Sequence, residues 1–331
     1  MEGKKTPLFD THIKYGGKIV EFGGWLLPVQ YSGIIDEHNA VRTKAGLFDV
    51  SHMGEIWAEG KGAFAFLQNL VTNDLAGMQE GQIRYSPMCY KDGGTVDDLL
   101  VYKYGEELYL IVVNAANIEK DWNWMQENTS GFEVVLTNKS DETAQLALQG
   151  PAAVAILSKL TDAPVSDIQY YHFLPEVMVA GKETLVSRTG YTGEDGYEIY
   201  CAPHDAAELW EAIMVAGKEE GILPTGLGCR DTLRFESCLP LYGHELSAEI
   251  SPLMAGLGRF VKLDKTAFNG LEALQAQKAA GLPQKVMGVE VTGRGIARAG
   301  YPVKAGGKVI GSVTTGSPAP TLGKNMALAL I

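Results

Sequence analysis

The chain has 331 residues, with 28 basic and 40 acidic side chains for a net charge of −12, and is 46% hydrophobic and 21% charged. That length exceeds the ~100–150 residues of one domain and predicts two or three, while no apolar run approaches the ~18 residues of a membrane span. The acidic balance disfavours a long-range electrostatic grip on nucleic acid or anionic lipid, so neither nucleic acid nor a membrane is expected as a partner, and an anionic ligand would need a local basic pocket.

The N-terminal "MEGKKTPLFDTHIKYGGK" shows neither an apolar signal core nor an Arg/Ser-rich transit segment, which predicts a cytoplasmic location and makes the sequons at Asn128 and Asn138 coincidental. Residues 33–45 carry Ile34, Ile35, His38, Val41 and Ala45 at helical spacing, with Ser32 as the expected N-cap and Gly46 as the stop. "LFDVSHMGEIWAEG" alternates as a strand does, "GAFAFLQNLVTND" returns to a helical period, and "IRYSPMCY" reads as another strand. "DDLLVYKYGEELYLIVVNAAN" predicts a hairpin turning at "YGEE", followed by a helix at "IEKDWNWMQEN".

In the middle, "ETAQLALQGPAAVAILSKL" predicts a strand, a turn at Gly150 and a helix with Pro151 at its first position. "VMVAGKETLVSRTGYTGEDGYEIYCAP" reads as a hairpin plus a strand, and a helix begins at or near Asp205. Hairpins outnumber strand–helix–strand units, so the fold class is α+β. From residue 285 onward, short β-like runs separated by Gly and Pro predict a small barrel or sandwich, with a boundary near 282. The final run "MALALI" is compatible with an incomplete barrel that leaves a strand edge unpaired.

Three stretches carry chemistry. In "GGTVDDLLVY", Asp97 and Asp98 are adjacent, and neighbouring strand residues point to opposite faces. That argues against a glycosidase-like pair, whose carboxylates converge on one bond from about 5–10 Å apart, and leaves either one working acid or a turn with solvated acids. In "RTGYTGEDGYEIY", strand parity puts Glu198 on the face of Tyr200 and not of Tyr197. An acid beside aromatic faces suits a flat, amide-rich heterocycle; a hairpin turn decorated with Glu194 and Asp195 is the plainer reading. "TGLGCRDTLRFESCLPLYGHE", residues 225–245, reads as a helix with Arg230 and Arg234 four apart on one face, and a cation near the helix start opposes the dipole, which hints at function, although paired surface arginines are ordinarily solvated. No P-loop, HExxH or GxSxG occurs, and the six histidines lie far apart. The four cysteines, Cys89, Cys201, Cys229 and Cys238, lack disulfide or zinc spacing, so reduced thiols and no metal are expected.

Eight segments in order, "TPLFDTHIKYGGKIVEFGGWLLPVQYSG", "GLFDVSHMGEI", "GGTVDDLLVY", "LALQGP", "GYTGEDGYEIY", "GLGCRDTLRFE", "LYGHEL" and "TTGSPAPTLGKNMALA", resemble the T-protein family, the folate-binding aminomethyltransferases of the glycine cleavage system. The resemblance covers essentially the whole chain, except that family members continue for some tens of residues. It implies a three-domain cloverleaf around a central folate-binding hole: residues 1–48 with 142–281, residues 49–141, and a C-terminal β-barrel or jelly-roll-like domain at 282–331. It also implies transfer of a one-carbon unit from an aminomethyl group on the lipoyl arm of the H-protein to tetrahydrofolate, giving 5,10-methylenetetrahydrofolate, ammonia and dihydrolipoyl H-protein, with functional links to the P- and L-proteins.

By position in the family motifs, Asp98 is the catalytic acid, which must be ionised to work. Glu198 would bind the pterin N–H edge and Arg230 an anionic or carbonyl part of the ligand, with Tyr191, Met53 and Tyr242 lining the pocket. A flavin-fused demethylase is disfavoured because no dinucleotide fingerprint occurs, and "ESCLPLYGHE" lacks the "KGCYxGQE"-like signature of iron–sulfur assembly scaffolds. A non-catalytic folate-binding module is the remaining alternative.

Overall fold

The computed structural model describes residues 2–331 and is α+β, with the chain folded into two compact units. The first comprises residues up to Ile56, Glu80–Ile83 and Asn138–Ser237; the second comprises Trp57–Gln79, Arg84–Thr137 and Cys238–Ile331.

In the first unit, a six-stranded sheet runs in the spatial order Phe173–Val179, Lys182–Ser187, Gly196–Cys201, Ala144–Gln149, Gly46–Asp49 and Leu223–Pro224. Its central strands are buried on both faces along their whole length, with Gln145, Gln149 and Glu198 among their buried residues, so alternation does not mark their faces. "LFDVSHMGEIWAEG" is accordingly not one alternating strand. It forms two, Gly46–Asp49 and Gly54–Glu59, in different sheets, with a turn between them in which Met53 N–H donates to Val50 O at 3.1 Å. One face packs on the helix Ala206–Ala216, whose Trp210 is fully buried among Leu146, Leu148, Ile156 and Ile199. The other carries Val41, Phe48, Val50, Ala147, Cys229 and Leu233, the apolar seam under the helices Ile34–Thr43 and Leu227–Glu236.

Two predicted helix starts move. The cap of Ile34–Thr43 is Gly33, not Ser32, because Glu37 supplies the capping acceptor instead: its Oε1 takes the N–H of Tyr31 at 2.6 Å and of Gly33 at 3.1 Å. Pro151 lies in the turn before the short helix Ala153–Leu157, where Ala153 N–H donates to Gly150 O at 2.9 Å.

The second unit is built on a five-stranded sheet in the order Ile83–Cys89, Thr95–Gly105, Leu108–Val113, Gly54–Glu59 and Val135–Asn138. The predicted hairpin joins Thr95–Gly105 to Leu108–Val113, with Leu100 opposite Val112. Ile118–Glu127 is the predicted helix. Beyond Leu271–Ala280, the strands Val286–Glu290, Lys324–Leu330, Lys308–Ala319 and Pro302–Ala305 lie side by side as an antiparallel sheet. Among the described residues this sheet stays open and does not close into a barrel; its two edges are Val286–Glu290 and Pro302–Ala305.

The "GGTVDD" segment is anchored tightly. A Cβ on Gly94 would lie 1.8 Å from Ala248 O, and Thr95 donates from its N–H to Ser247 O at 2.9 Å and from Oγ1 to Ile250 O at 2.7 Å. Gly94→Ala must therefore displace backbone at the start of the strand that carries Asp97 and Asp98. A loss of about 1–3 kcal/mol is expected, read as a lower urea midpoint. A wild-type midpoint would contradict this packing.

Candidate functional site

In the second unit the two aspartates open the Thr95–Gly105 strand, and neither is a solvated turn acid. Asp97 is fully buried. It accepts from Asn114 N–H (3.0 Å), Asn114 Nδ2 (2.8 Å) and Asn117 Nδ2 (2.7 Å). Asp98 is half-buried, and its Oδ2 accepts from the Tyr85 hydroxyl at 2.9 Å and its Oδ1 from Asn114 Nδ2 at 2.9 Å.

One amide thus donates to both acids. Strand parity alone does not predict this, because the register that sets Leu100 against Val112 puts Asn114 opposite Asp98 at the end of the ladder, where its amide spans both carboxylates. Burial first, and then the Asp97 charge, push the Asp98 carboxyl up to about 7, against the pull of the hydrogen bonds from Tyr85 and Asn114. Asp98 is therefore poised to gain or lose a proton near neutrality.

Tyr242 belongs to this cluster: its hydroxyl donates to Thr95 O at 3.3 Å, and Lys120 Nζ lies 3.8 Å from its ring centroid. Lys120 also donates to Val96 O. Burial lowers its ammonium, and the neighbouring acids Asp121, Asp97 and Asp98 draw it back up. Tyr85, Asn114, Asn117, Lys120 and Asp121 escape the sequence reading. The signal available for the last four is the polar run "NAANIEKD" placed directly after the apolar strand "LYLIVV".

In the first unit Glu198 stands in the centre of the sheet, paired with Ala147 on one side and Ser187 on the other. It is 7% exposed. Its Oε2 accepts from Thr189 Oγ1 at 2.5 Å. Gln145 is hydrogen-bonded to Glu198 and donates to the Tyr200 hydroxyl at 3.1 Å, so it joins the same-face pair that parity predicts. Tyr197 points the other way and donates to Val165 O at 2.8 Å. Burial raises the Glu198 carboxyl above its ordinary value, and Thr189, the Arg230 charge and Gln145 hold it down.

Arg230 and Arg234 are not a solvated pair. Arg234 is fully buried and ion-paired with Asp231 at 2.7 Å. Arg230 is half-buried with its guanidinium 4.7 Å from the Tyr191 ring centroid. Burial lowers it, while Tyr191 and Glu198 favour its charge. Its placement near the helix start is offset electrostatically by Glu37, whose buried Oε2 accepts the N–H of the cap residue Gly226 at 2.9 Å. Gly226 is required there, because a Cβ would lie 2.6 Å from Val29 O.

Met53 packs on the apolar seam beneath this helix. Beside it, His52 is buried with Nδ1 unpartnered among the described residues, and burial followed by the Arg230 charge pushes it down to about 4, so it is neutral at pH 7. Glu55 is buried with neither oxygen partnered among the same residues, and burial, then the Glu198 charge, lift it well above the carboxylate range. Glu194 and Asp195 are paired with Arg42 (3.0 Å) and Arg188 (2.6 Å), which fits the plainer reading of a decorated turn for those two acids.

Among the sequence-predicted residues, Met53, Tyr191, Glu198 and Arg230 therefore lie in the first unit, and Asp98 and Tyr242 in the second. Among the described residues, no group of three or more His, Cys, Asp or Glu side chains could hold a metal ion, and no helix is long and apolar enough to cross a membrane. All four cysteines are free; Cys238 is exposed and the other three are buried.

Residues 8–265 match the model of the GCVT N-terminal domain, and residues 284–331 match that of the glycine cleavage T-protein C-terminal barrel domain. An aminomethyltransferase of Desulfitobacterium hafniense is 58% identical over 330 residues, covering 100% of this chain and 90% of that protein. One from Halalkalibacterium halodurans is 56% identical over 330 residues, with the same coverage. The crystal structure of glycine cleavage system aminomethyltransferase T from Bartonella henselae superposes with a TM-score of 0.92 at 32% identity, covering 99% of this chain and 90% of that one.

Proposed function

Since this chain belongs to the glycine cleavage T-protein family and is an aminomethyltransferase, we propose that it takes the one-carbon unit from an aminomethyl group on the lipoyl arm of an H-protein and transfers it to tetrahydrofolate. The products are 5,10-methylenetetrahydrofolate, ammonia and dihydrolipoyl H-protein. Tetrahydrofolate, as co-substrate, supplies the two nitrogens that receive the carbon. The reaction is placed in the cytoplasm, in company with the P- and L-proteins of the same system. The domain division that accompanies this reading is 1–48 with 142–281, 49–141, and 282–331.

The observation that carries the reading is Asp98: a half-buried acid fixed by Tyr85 and Asn114 and held at the threshold of ionisation by burial and Asp97. Ionised, it stabilises the positive charge that develops as ammonia leaves and accepts a proton from the attacking amine. Glu198 offers a buried acceptor for the N–H edge of a pterin, Arg230 a cation for an anionic or carbonyl group, Tyr191 a ring face and Met53 an apolar contact, while Tyr242 belongs with Asp98. The fit to a flat, amide-bearing anion is supported by His52 Nδ1 and Gln145 Oε1, buried polar atoms without a partner among the described residues.

The test is folate-dependent release of ammonia from an aminomethylated H-protein across pH. Because the ionised form of Asp98 works, the rate should rise with pH through about 7. A rate flat between pH 6 and 8 would contradict this role.

A further inference from the structure

Asp121, on the Ile118–Glu127 helix, is fully buried in the second unit, and neither of its carboxyl oxygens accepts a hydrogen bond from a described residue. Its one cationic neighbour among those residues, Lys120, lies 3.8 Å away, beyond hydrogen-bond distance, and donates to Val96 O. The Asp121 carboxyl lies within hydrogen-bonding reach of that of Asp97. Two carboxyl groups in contact cannot both be ionised, so the pair shares one proton.

The donors decide which partner keeps it. Asp97 takes three N–H groups, from Asn114 N, Asn114 Nδ2 and Asn117 Nδ2, and these favour its charged form; Asp121 takes none. We propose that Asp121 is a positioning residue that stays protonated and donates to Asp97, fixing the Asp97–Asn114 contact through which one amide is held against Asp98.

This rests on the reading of Asp98 as the working acid. Burial and the Asp97 charge push the Asp121 carboxyl up to about 11, in keeping with the geometry. The groups facing the cluster are Asp97 and Asp98 on the strand, Lys120 on the helix, Tyr85 on the Ile83–Cys89 strand, and Tyr90 and Tyr242. The cluster therefore carries one fixed negative charge, on Asp97, and one group that titrates near neutrality, Asp98. The two amide hydrogens of Asn114 are divided between them.

The test is carbon-13 NMR titration of the full chain labelled at Asp carboxyls, with the Asp98 resonance assigned by its loss in Asp98→Asn. Asp121→Asn keeps a donor to Asp97 and removes no charge, so the Asp98 midpoint should stay within about half a pH unit of wild type. Asp97→Asn removes the fixed charge and should lower that midpoint by about one unit or more. In turnover, Asp121→Ala should lower kcat about tenfold with KM for tetrahydrofolate changed less than about threefold, and Asp121→Asn should recover most of the loss. A midpoint that falls in Asp121→Asn as it does in Asp97→Asn would show that Asp121 carries the charge and would overturn the proposal, as would a wild-type kcat in Asp121→Ala. The titration decides the protonation of Asp121 even if Asp98→Asn proves fully active, which would count against the role of Asp98 alone.

Discussion

Asp98→Asn is expected to slow folate-dependent ammonia release at least tenfold, the low side of the roughly 10²–10⁴ that a single acid–base group contributes. Asparagine matches the shape of the acid, and its carbonyl can still accept from Asn114 Nδ2, so the strand start should hold. The variant also carries a stability signature. In the native chain Asp98 keeps its proton up to about 7, whereas in the unfolded chain it loses it near the ordinary aspartate value of 3.8. Between those values the native state binds more protons, so its contribution to stability falls as pH rises from about 4 to about 7. Asp98→Asn has nothing to titrate and should flatten that part of the stability curve, while Glu55 and Asp121, also raised, keep theirs. A variant with wild-type turnover and an unaltered curve would remove Asp98 from the mechanism and its buried acid from the electrostatics together.

The second large effect concerns binding. Glu198→Ala and Arg230→Ala should each weaken tetrahydrofolate binding by about ten- to a hundredfold in calorimetry, from the roughly 1.5–3 kcal/mol of a hydrogen bond to a charged group. The two losses should not add. The Arg230 charge helps hold Glu198 ionised, so removing the arginine also weakens the acid as an acceptor, and the double variant should lose less than the sum. Arg230→Lys should recover little, because an ammonium cannot offer the planar stacking that the guanidinium makes over the Tyr191 ring. Wild-type affinity in either alanine variant would exclude that residue from the ligand.

Local patterns made much of the fold legible. The hairpin over residues 95–113 and the helix Ile118–Glu127 stand where turn chemistry and helical spacing put them, whereas the helix expected over 225–245 is Leu227–Glu236 and stops well short of residue 245. What failed was periodicity in elements buried on both sides, as at Gly46–Asp49, and capping by a side chain that arrives from further along the chain, as Glu37 does at Gly33. The site divides in the same way. The motifs single out Asp98, Glu198 and Arg230, but the groups that set their chemistry are bound by tertiary register. Asn114 stands across a ladder from Asp98, Gln145 reaches Glu198 from a strand 53 positions earlier, and Asp121 projects from a separate helix. No short window of sequence contains those relations, since each pairs residues joined only by the fold. The same register lets two adjacent acids that start from opposite faces of the strand meet one donor. They do so through Asn114, and the working acid is poised near neutrality by its burial and then by the Asp97 charge.

The most direct measurement mixes the purified chain with aminomethylated H-protein, with and without tetrahydrofolate, and follows ammonia and 5,10-methylenetetrahydrofolate together. Aminomethyl transfer predicts that both products appear in equal amounts and only when folate is present. Folate binding by calorimetry without release of ammonia would contradict it and leave a binding module.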